Sequence, residues 1–155
     1  MADRTDVVSV ERFIAAPPEP IFALLVDPER HRDIDGSGTV RGTKGGAERL
    51  QLGSTFGMSM RMGMPYSMVS KVVEYEENRR LAWQTRGPTA LGRVVGGRIW
   101  RYELVPAEGG TLVRESWDIS QESPLTKPLV RLTAGSATRK NMAATLERIE
   151  QLVTS

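Results

Sequence analysis

Hydrophobic positions along the chain follow two different periods, and the change between them divides the sequence. From residue 6 to residue 119 the dominant pattern is alternation; from Pro124 to Val153 it is helical. Alternation puts successive side chains on opposite faces of a strand, whereas an i, i+4, i+7 recurrence lines one face of a helix. Residues 6–14 (DVVSVERFI) alternate and predict a first strand. Ala15-Ala16-Pro17-Pro18 ends it, and proline suits the first turn of the helix that follows. That helix, over 18–26, gathers Ile21, Phe22, Leu24 and Leu25 on a broad apolar face. Asp27-Pro28 breaks it or starts a second short helix over 28–34, and Asp35-Gly36-Ser37-Gly38 turns the chain.

Strands and turns then follow in series. Residues 39–43 read as a short strand, 44–53 as a loop or hairpin connection and 54–62 (STFGMSMRM) as a sharply alternating strand. Gly63-Met64-Pro65 predicts a turn, 66–76 a long strand, Glu77-Asn78-Arg79 its turn and 80–86 the partner. A glycine-rich loop is expected over 87–97. It suits either a lid over a cavity mouth or an ordinary hairpin loop. Residues 98–105 and 111–119 are strands around the turn Pro106-Ala107-Glu108-Gly109-Gly110. In the tail, Leu125, Leu129 and Leu132 share a face. Met142, Leu146, Ile149 and Val153 continue the stripe, with Gly135 and Ser136 weakening its middle. One strand, two short helices, about six strands and a long helix argue for an α+β domain spanning 1–155, in which the amphipathic helix lies across an antiparallel sheet.

Alternation also sorts the chemistry. In 54–62, Phe56, Met58, Met60 and Met62 share a face, and Met64 and Met68 follow closely. Methionine is flexible and polarizable, so such a face serves either as plain core filling or as a wall that adapts to a guest. Trp100, Tyr102 and Leu104 share a face of their strand, as do Leu81 and Trp83, and Val113, Glu115, Trp117 and Ile119. Tryptophan and tyrosine have polar tips, which suit a mostly apolar pocket as well as a tightly packed core. Glu115 is thereby turned inward, where a carboxylate must pair or take up a proton. Arg12 has the parity of Val8, Val10 and Ile14 and is the expected partner; a catalytic acid or a ligand anchor is the other role for Glu115. Tyr66 is a further inward polar candidate.

Composition narrows the choice. The 155 residues contain no cysteine and one histidine. That excludes disulfides, thiolate chemistry and multi-histidine metal sites. His31, in HRDID, is expected on a solvated helix surface, with a base role as the alternative. Asp33 and Asp35 alone make a weak metal pair, so neither metal nor cofactor is expected. The charge of +2 comes from 21 basic and 19 acidic residues that are scattered rather than clustered. This speaks against a nucleic-acid partner. Gly36, Gly38, Gly42, Gly45 and Gly46 match no phosphate-binding loop and fit turns and strand bends. MADRTDVVSVERF has no apolar signal core, and no apolar run reaches membrane-spanning length. A cytoplasmic protein without stable membrane insertion, monomer or homodimer, is the expectation.

The stretch APPEPIFALLVDPERHRDIDGSG, then RRLAWQT, then RIWRYELVPAEGGTLVRESWD and a final long helix resembles the START-like helix-grip (SRPBCC) superfamily. Within it the chain is most similar to the polyketide cyclase/dehydrase branch of bacterial proteins. The likeness spans nearly the whole chain and lies in Ala16-Pro17-Pro18, Asp27-Pro28 and the strands meeting at Gly109-Gly110-Thr111. It implies a curved seven-stranded antiparallel sheet gripping the C-terminal helix, with a deep cavity between them. Members bind lipids, polyketides or other hydrophobic molecules, and some close rings or dehydrate. The resemblance thus implies a small hydrophobic ligand, with cyclase or dehydratase chemistry as the alternative. Its contacts would come from Phe56, Met58, Met60, Met62, Tyr66 and Met68, from Trp83, Trp100, Tyr102 and Trp117, and from Leu129 and Leu132 of the tail.

Overall fold

The computed structural model describes residues 7–34, 40–44, 49–62, 64–90, 93–121 and 135–155; within these, side chains are described except at 32, 40–44, 57–68, 86–96 and 135–137. Strand β1 (Val7–Ile14) leads into helix α1 (Pro18–Leu25), a 3-10 turn (Pro28–Arg30) and helix α2 (His31–Ile34). Six strands follow: β2 (Val40–Lys44), β3 (Thr55–Met62), β4 (Met64–Glu76), β5 (Arg80–Ala90), β6 (Arg93–Ala107) and β7 (Gly110–Asp118). Helix α3 (Gly135–Thr154) comes last. The strands form one antiparallel sheet in the order β1-β7-β6-β5-β4-β3-β2. Strands β2 to β7 are therefore laid down as successive neighbours, and β1 closes on the last of them. This is the expected α+β helix-grip architecture.

The local reasons are visible at each junction. Pro17 is extended at the N-cap of α1 and Pro18 fills its first turn, where a missing N–H costs nothing. The helix buries Ile21, Phe22, Leu24 and Leu25. Asp27 then both ends α1 and opens the next turn, its Oδ1 accepting from the Glu29 N–H at 3.1 Å. In α3 the stripe Met142, Leu146 and Ile149 is at most 1% exposed, which seats the helix on the sheet. Ile149 and Leu146 join the core formed by Ile14, Phe22, Leu81, Tyr102, Leu104 and Val113. None of the described helices is long and apolar enough to cross a membrane.

Two expectations about element boundaries change. Gly63-Met64-Pro65 is not a three-residue turn, because β4 already begins at Met64, which pairs with Met62. Pro65 is tolerated within the strand because β4 gains β5 as a neighbour only from Val69 onward. The loop expected over 87–97 is instead a hairpin extension: Thr89 pairs with Val94 and Ala90 with Arg93. Gly97, at φ 112°, marks a strand irregularity where the β5–β6 register slips. The described part of the C-terminal helix runs from Gly135 to Thr154, and residues 122–134, where the helical period is expected to open, lie outside the described residues. Leu125, Leu129 and Leu132 lie outside the described residues.

Candidate functional site

Antiparallel register stacks inward side chains into rows that cross the sheet, since directly opposed residues share a face. One row runs Val8, Trp117, Trp100, Trp83 and Val72 over β1, β7, β6, β5 and β4. Three indoles thus stand side by side on adjacent strands. Trp100 and Trp117 have ring centroids 6.2 Å apart at 44°. They pack with Ile119 and with Met142 of α3, so this face is the one turned to the helix. Toward one end of the strands the next row is Val10, Glu115, Tyr102, Leu81 and Tyr75. Beyond it come Arg12, Val113 and Leu104.

Burial varies systematically along this wall. Val113, Leu81 and Leu104 are 0–2% exposed, and Tyr102 and Glu115 are buried. In the indole row Trp117 is buried, whereas Trp100 and Trp83 are only half-buried. The wall is therefore packed shut at the Leu104 end and looser at the indoles. On the opposite side of the indoles lie Arg98, Thr85, Ser70 and Phe56, the row continuing from β6 to β3. Ser70 and Thr85 are buried and joined through their hydroxyls at 2.8 Å.

The structure brings together Phe56, Trp83, Trp100, Tyr102 and Trp117. Trp83 lies 5.6 Å from Tyr102 and 5.7 Å from Phe56, ring to ring. The backbone register sets Met58 opposite Met68, Met60 opposite Tyr66 and Met62 opposite Met64; those side chains lie outside the described ones.

His31 corrects its expected place on a solvated surface. It is 5% exposed, its Nε2–H donates to the Leu25 carbonyl at 2.8 Å, and its ring meets Trp83 and Phe56. The α1–α2 bend folds α2 back over the sheet, which a linear reading of HRDID cannot reveal. With Nε2 committed to the backbone, the ring acts as a pin between α2 and β5. Asp33 accepts from Arg30 at 2.8 Å. Among the described residues no three His, Asp or Glu side chains are placed to share a metal ion.

Glu115 does face inward, at 1% exposure, between Val10 and Tyr102. The expected pairing with Arg12 is wrong. Arg12 sits one inward step along, opposite Val113, and reaches across to Glu150 of α3 at 2.8 Å. That contact holds the guanidinium more firmly charged, the hydrogen bond that Arg12 donates to Glu150 outweighing burial. The outer face is a ladder of charge. Arg114 pairs with Glu11, Arg80 with Glu74 and Glu103, and Arg101 with Glu74 and Asp118. Arg101 pulls the Glu74 carboxyl below its ordinary range, with Arg80 adding to it. A separate cleft of about 470 Å³ lies outside α1, lined by Glu19, Ala23, Val26, Asp27, Arg49, Glu77 and Asn78. Its guanidinium is already held by Tyr75 and Glu77, at 2.8 and 2.7 Å. The cleft's polar lining does not suit an apolar guest.

Arg98 is the inward residue that sequence reasoning missed. Its parity with Trp100 and Tyr102 was legible, but the composition of 87–97 ended the strand at its doorstep. Gly97 forms the bulge beside it, and the Gln84 side chain donates to the Gly97 carbonyl at 2.9 Å.

Comparison with known proteins agrees with this architecture. The protein CV1439 from Chromobacterium violaceum superposes with a TM-score of 0.71 over 97% of this chain and 98% of its own, at 15% identity. A norcoclaurine synthase point mutant from Thalictrum, solved with a transition-state analogue, gives 0.67 over 96% and 93%, at 17% identity. These likenesses establish the fold. In sequence, Rv0088 from Mycobacterium tuberculosis is 42% identical over 92 residues, covering 59% of this chain and 37% of that protein. The chain spans about a third of the length of the curated relatives it matches. With the family model matched from residue 5 to residue 154, the chain belongs to the polyketide cyclase / dehydrase and lipid transport family.

Proposed function

We propose that the chain binds a small hydrophobic molecule between the concave face of the sheet and α3. The observation that carries this is the burial gradient: a wall that is solid at Leu104, Leu81 and Val113 loosens at Trp83 and Trp100. Large aromatic surfaces left half-covered on an inward face are what an apolar guest would complete, at roughly 25 cal/mol per Å² of apolar area removed from water. Phe56, Trp83, Trp100, Tyr102 and Trp117 form the aromatic part of the proposed site. Met58, Met60, Met62, Tyr66 and Met68 would supply its adaptable part, and Leu129 and Leu132 its cover. The family description, which includes lipid transport, supports the same reading.

Tryptophan fluorescence provides the test. Titration with a hydrophobic probe such as 1-anilinonaphthalene-8-sulfonate should quench the indoles saturably by energy transfer, and Trp100→Ala should weaken binding. A titration with no saturable change would sink the proposal.

A second reading, ring closure or dehydration, draws support from Glu115, a buried carboxyl one inward step from Trp117. In that case Glu115→Gln would abolish turnover of a polyketide-like substrate while leaving its binding intact. Unaltered turnover would remove Glu115 from the chemistry.

A further inference from the structure

Trp83 and Trp100 stand directly opposite each other on β5 and β6, where paired residues lie about 4.5–5.5 Å apart at Cα. Their rings nevertheless diverge. Trp100 meets Trp117 and packs with Ile119 and Met142. Trp83 meets Tyr102, Phe56 and His31 and packs with the larger core around α1. Among the described residues the inner face thus divides into two clusters, both touched by Val10. The division runs between two neighbouring indoles, each half-buried.

Aromatic neighbours attract beyond the area they bury, so two half-covered indoles side by side would gain by closing on each other. Three rings hold Trp83 away instead. Tyr102 and Phe56 belong to the sheet, with centroids 5.6 and 5.7 Å from the indole. His31 comes from outside the sheet and lies on the indole at 5.0 Å and 19°. The Phe56 edge also touches the imidazole, at 5.4 Å and 75°, which closes a triangle of rings. Of the three, His31 is oriented by backbone: its Nε2–H donates to the Leu25 carbonyl at 2.8 Å. Leu25 ends α1, where Ile21, Phe22 and Leu25 are all 0% exposed. The imidazole is therefore fixed at both ends, by its Cα in α2 and by its ring nitrogen on α1.

From this arrangement we infer that the hydrophobic guest enters where the two clusters divide, between Trp83 and Trp100, and that His31 is a positioning residue holding Trp83 on its own side of that division. The inference rests on the ligand site proposed above and adds a residue that shapes the site without touching the guest. Without the imidazole, Trp83 is free to swing against Trp100 and fill the place of the guest. Stacking carries the role, so a flat ring at position 31 preserves it. An amide there keeps a donor for Leu25 and loses the stack. The coupling is reciprocal: if a seated α2 favours binding, bound guest must favour a seated α2 by the same factor.

The test uses 1-anilinonaphthalene-8-sulfonate as the guest and four proteins besides the wild type. His31→Ala and His31→Asn should bind the probe about three- to tenfold more weakly, the range a lost aromatic stack corresponds to. His31→Phe should restore most of the affinity. Gly110→Ala, strained at the β1–β7 edge away from the indoles, should be destabilised and keep wild-type affinity. Equal weakening in Gly110→Ala and His31→Ala would reduce His31 to a structural role and overturn the inference, as would full affinity in His31→Asn. Should the His31 variants fail to fold, the wild-type protein decides by hydrogen exchange: amides of His31–Ile34 should exchange several-fold more slowly at saturating probe. Unchanged exchange there, with saturable binding, would overturn the positioning role and leave the ligand site standing. Absence of any saturable binding would overturn the site itself.

Discussion

The imidazole of His31 lies nearly flat on the indole of Trp83, with ring centroids 5.0 Å apart and planes within 19° of parallel. A helix of four residues cannot hold its own place, since short helices draw their stability from packing. This contact, the Leu25 hydrogen bond and the edge of Phe56 fix α2 over β5. His31→Ala removes all three, so we expect a loss of about 2–4 kcal/mol from the cavity and the broken hydrogen bond. Urea denaturation would measure it; a loss below about 0.5 kcal/mol would show that α2 is held by something else.

The burial gradient predicts a split between stability and binding. Leu104→Ala, at 2% exposure, should cost about 2–5 kcal/mol. Trp100→Ala, at the looser row, should lose less stability but weaken hydrophobic-probe affinity by about tenfold. Thermal melts beside titrations check both. The reverse ordering would place the packed part of the wall at the indoles.

Arg12 and Glu150 form a pair whose side chains are 40% and 30% exposed. Solvent screens such a contact, so a double-mutant cycle with Arg12→Met and Glu150→Gln should give a coupling of about 0.2–1 kcal/mol. A cycle between Arg12 and Glu115 should give close to none. Strong coupling there would contradict the register that puts Val113, not Glu115, opposite Arg12.

Acid should weaken the outer ladder in a defined direction. Arg101 lowers the folded-state pKa of Glu74 below its ordinary 4.5. The native carboxylate therefore binds its proton more reluctantly than the unfolded one. The contribution is fully present above the ordinary value and is lost as pH falls through the lowered one. Stability measured by denaturation should fall with acid over that range, and Glu74→Gln should make the fall shallower. An unchanged profile in the variant would assign the acid sensitivity to other carboxylates.

Gly110 opens β7 where β1 passes close by. A Cβ there would clash with the Ile14 carbonyl oxygen, which is backbone and has little room to retreat. We expect Gly110→Ala to cost about 1–3 kcal/mol, the usual penalty of overpacking. A melt unchanged from wild type would mean that the β1–β7 edge yields.

Much of this protein is local and was readable from its residues. Period-2 alternation assigns the inward faces of β5, β6 and β7, so the inward direction of Trp83, Trp100, Tyr102, Glu115 and Trp117 is legible in the sequence. The proline pair before α1 and the Met142-Leu146-Ile149 stripe were equally plain, because one helix or strand alone determines such patterns. The errors share a different character. Arg12 and Glu115 have matching parity, yet which inward residue faces which depends on register between β1 and β7. Glycines at 96 and 97 look like a loop in composition and act as a bulge only because β5 is alongside. His31 appears polar and exposed in HRDID until the bend after α1 carries it onto Trp83. Side-chain direction and helix stripe follow from short-range geometry, which the sequence by itself determined. Which rows meet, which residues become half-buried and where the inward charges stand depend on pairing between distant segments, and only the tertiary structure decided them.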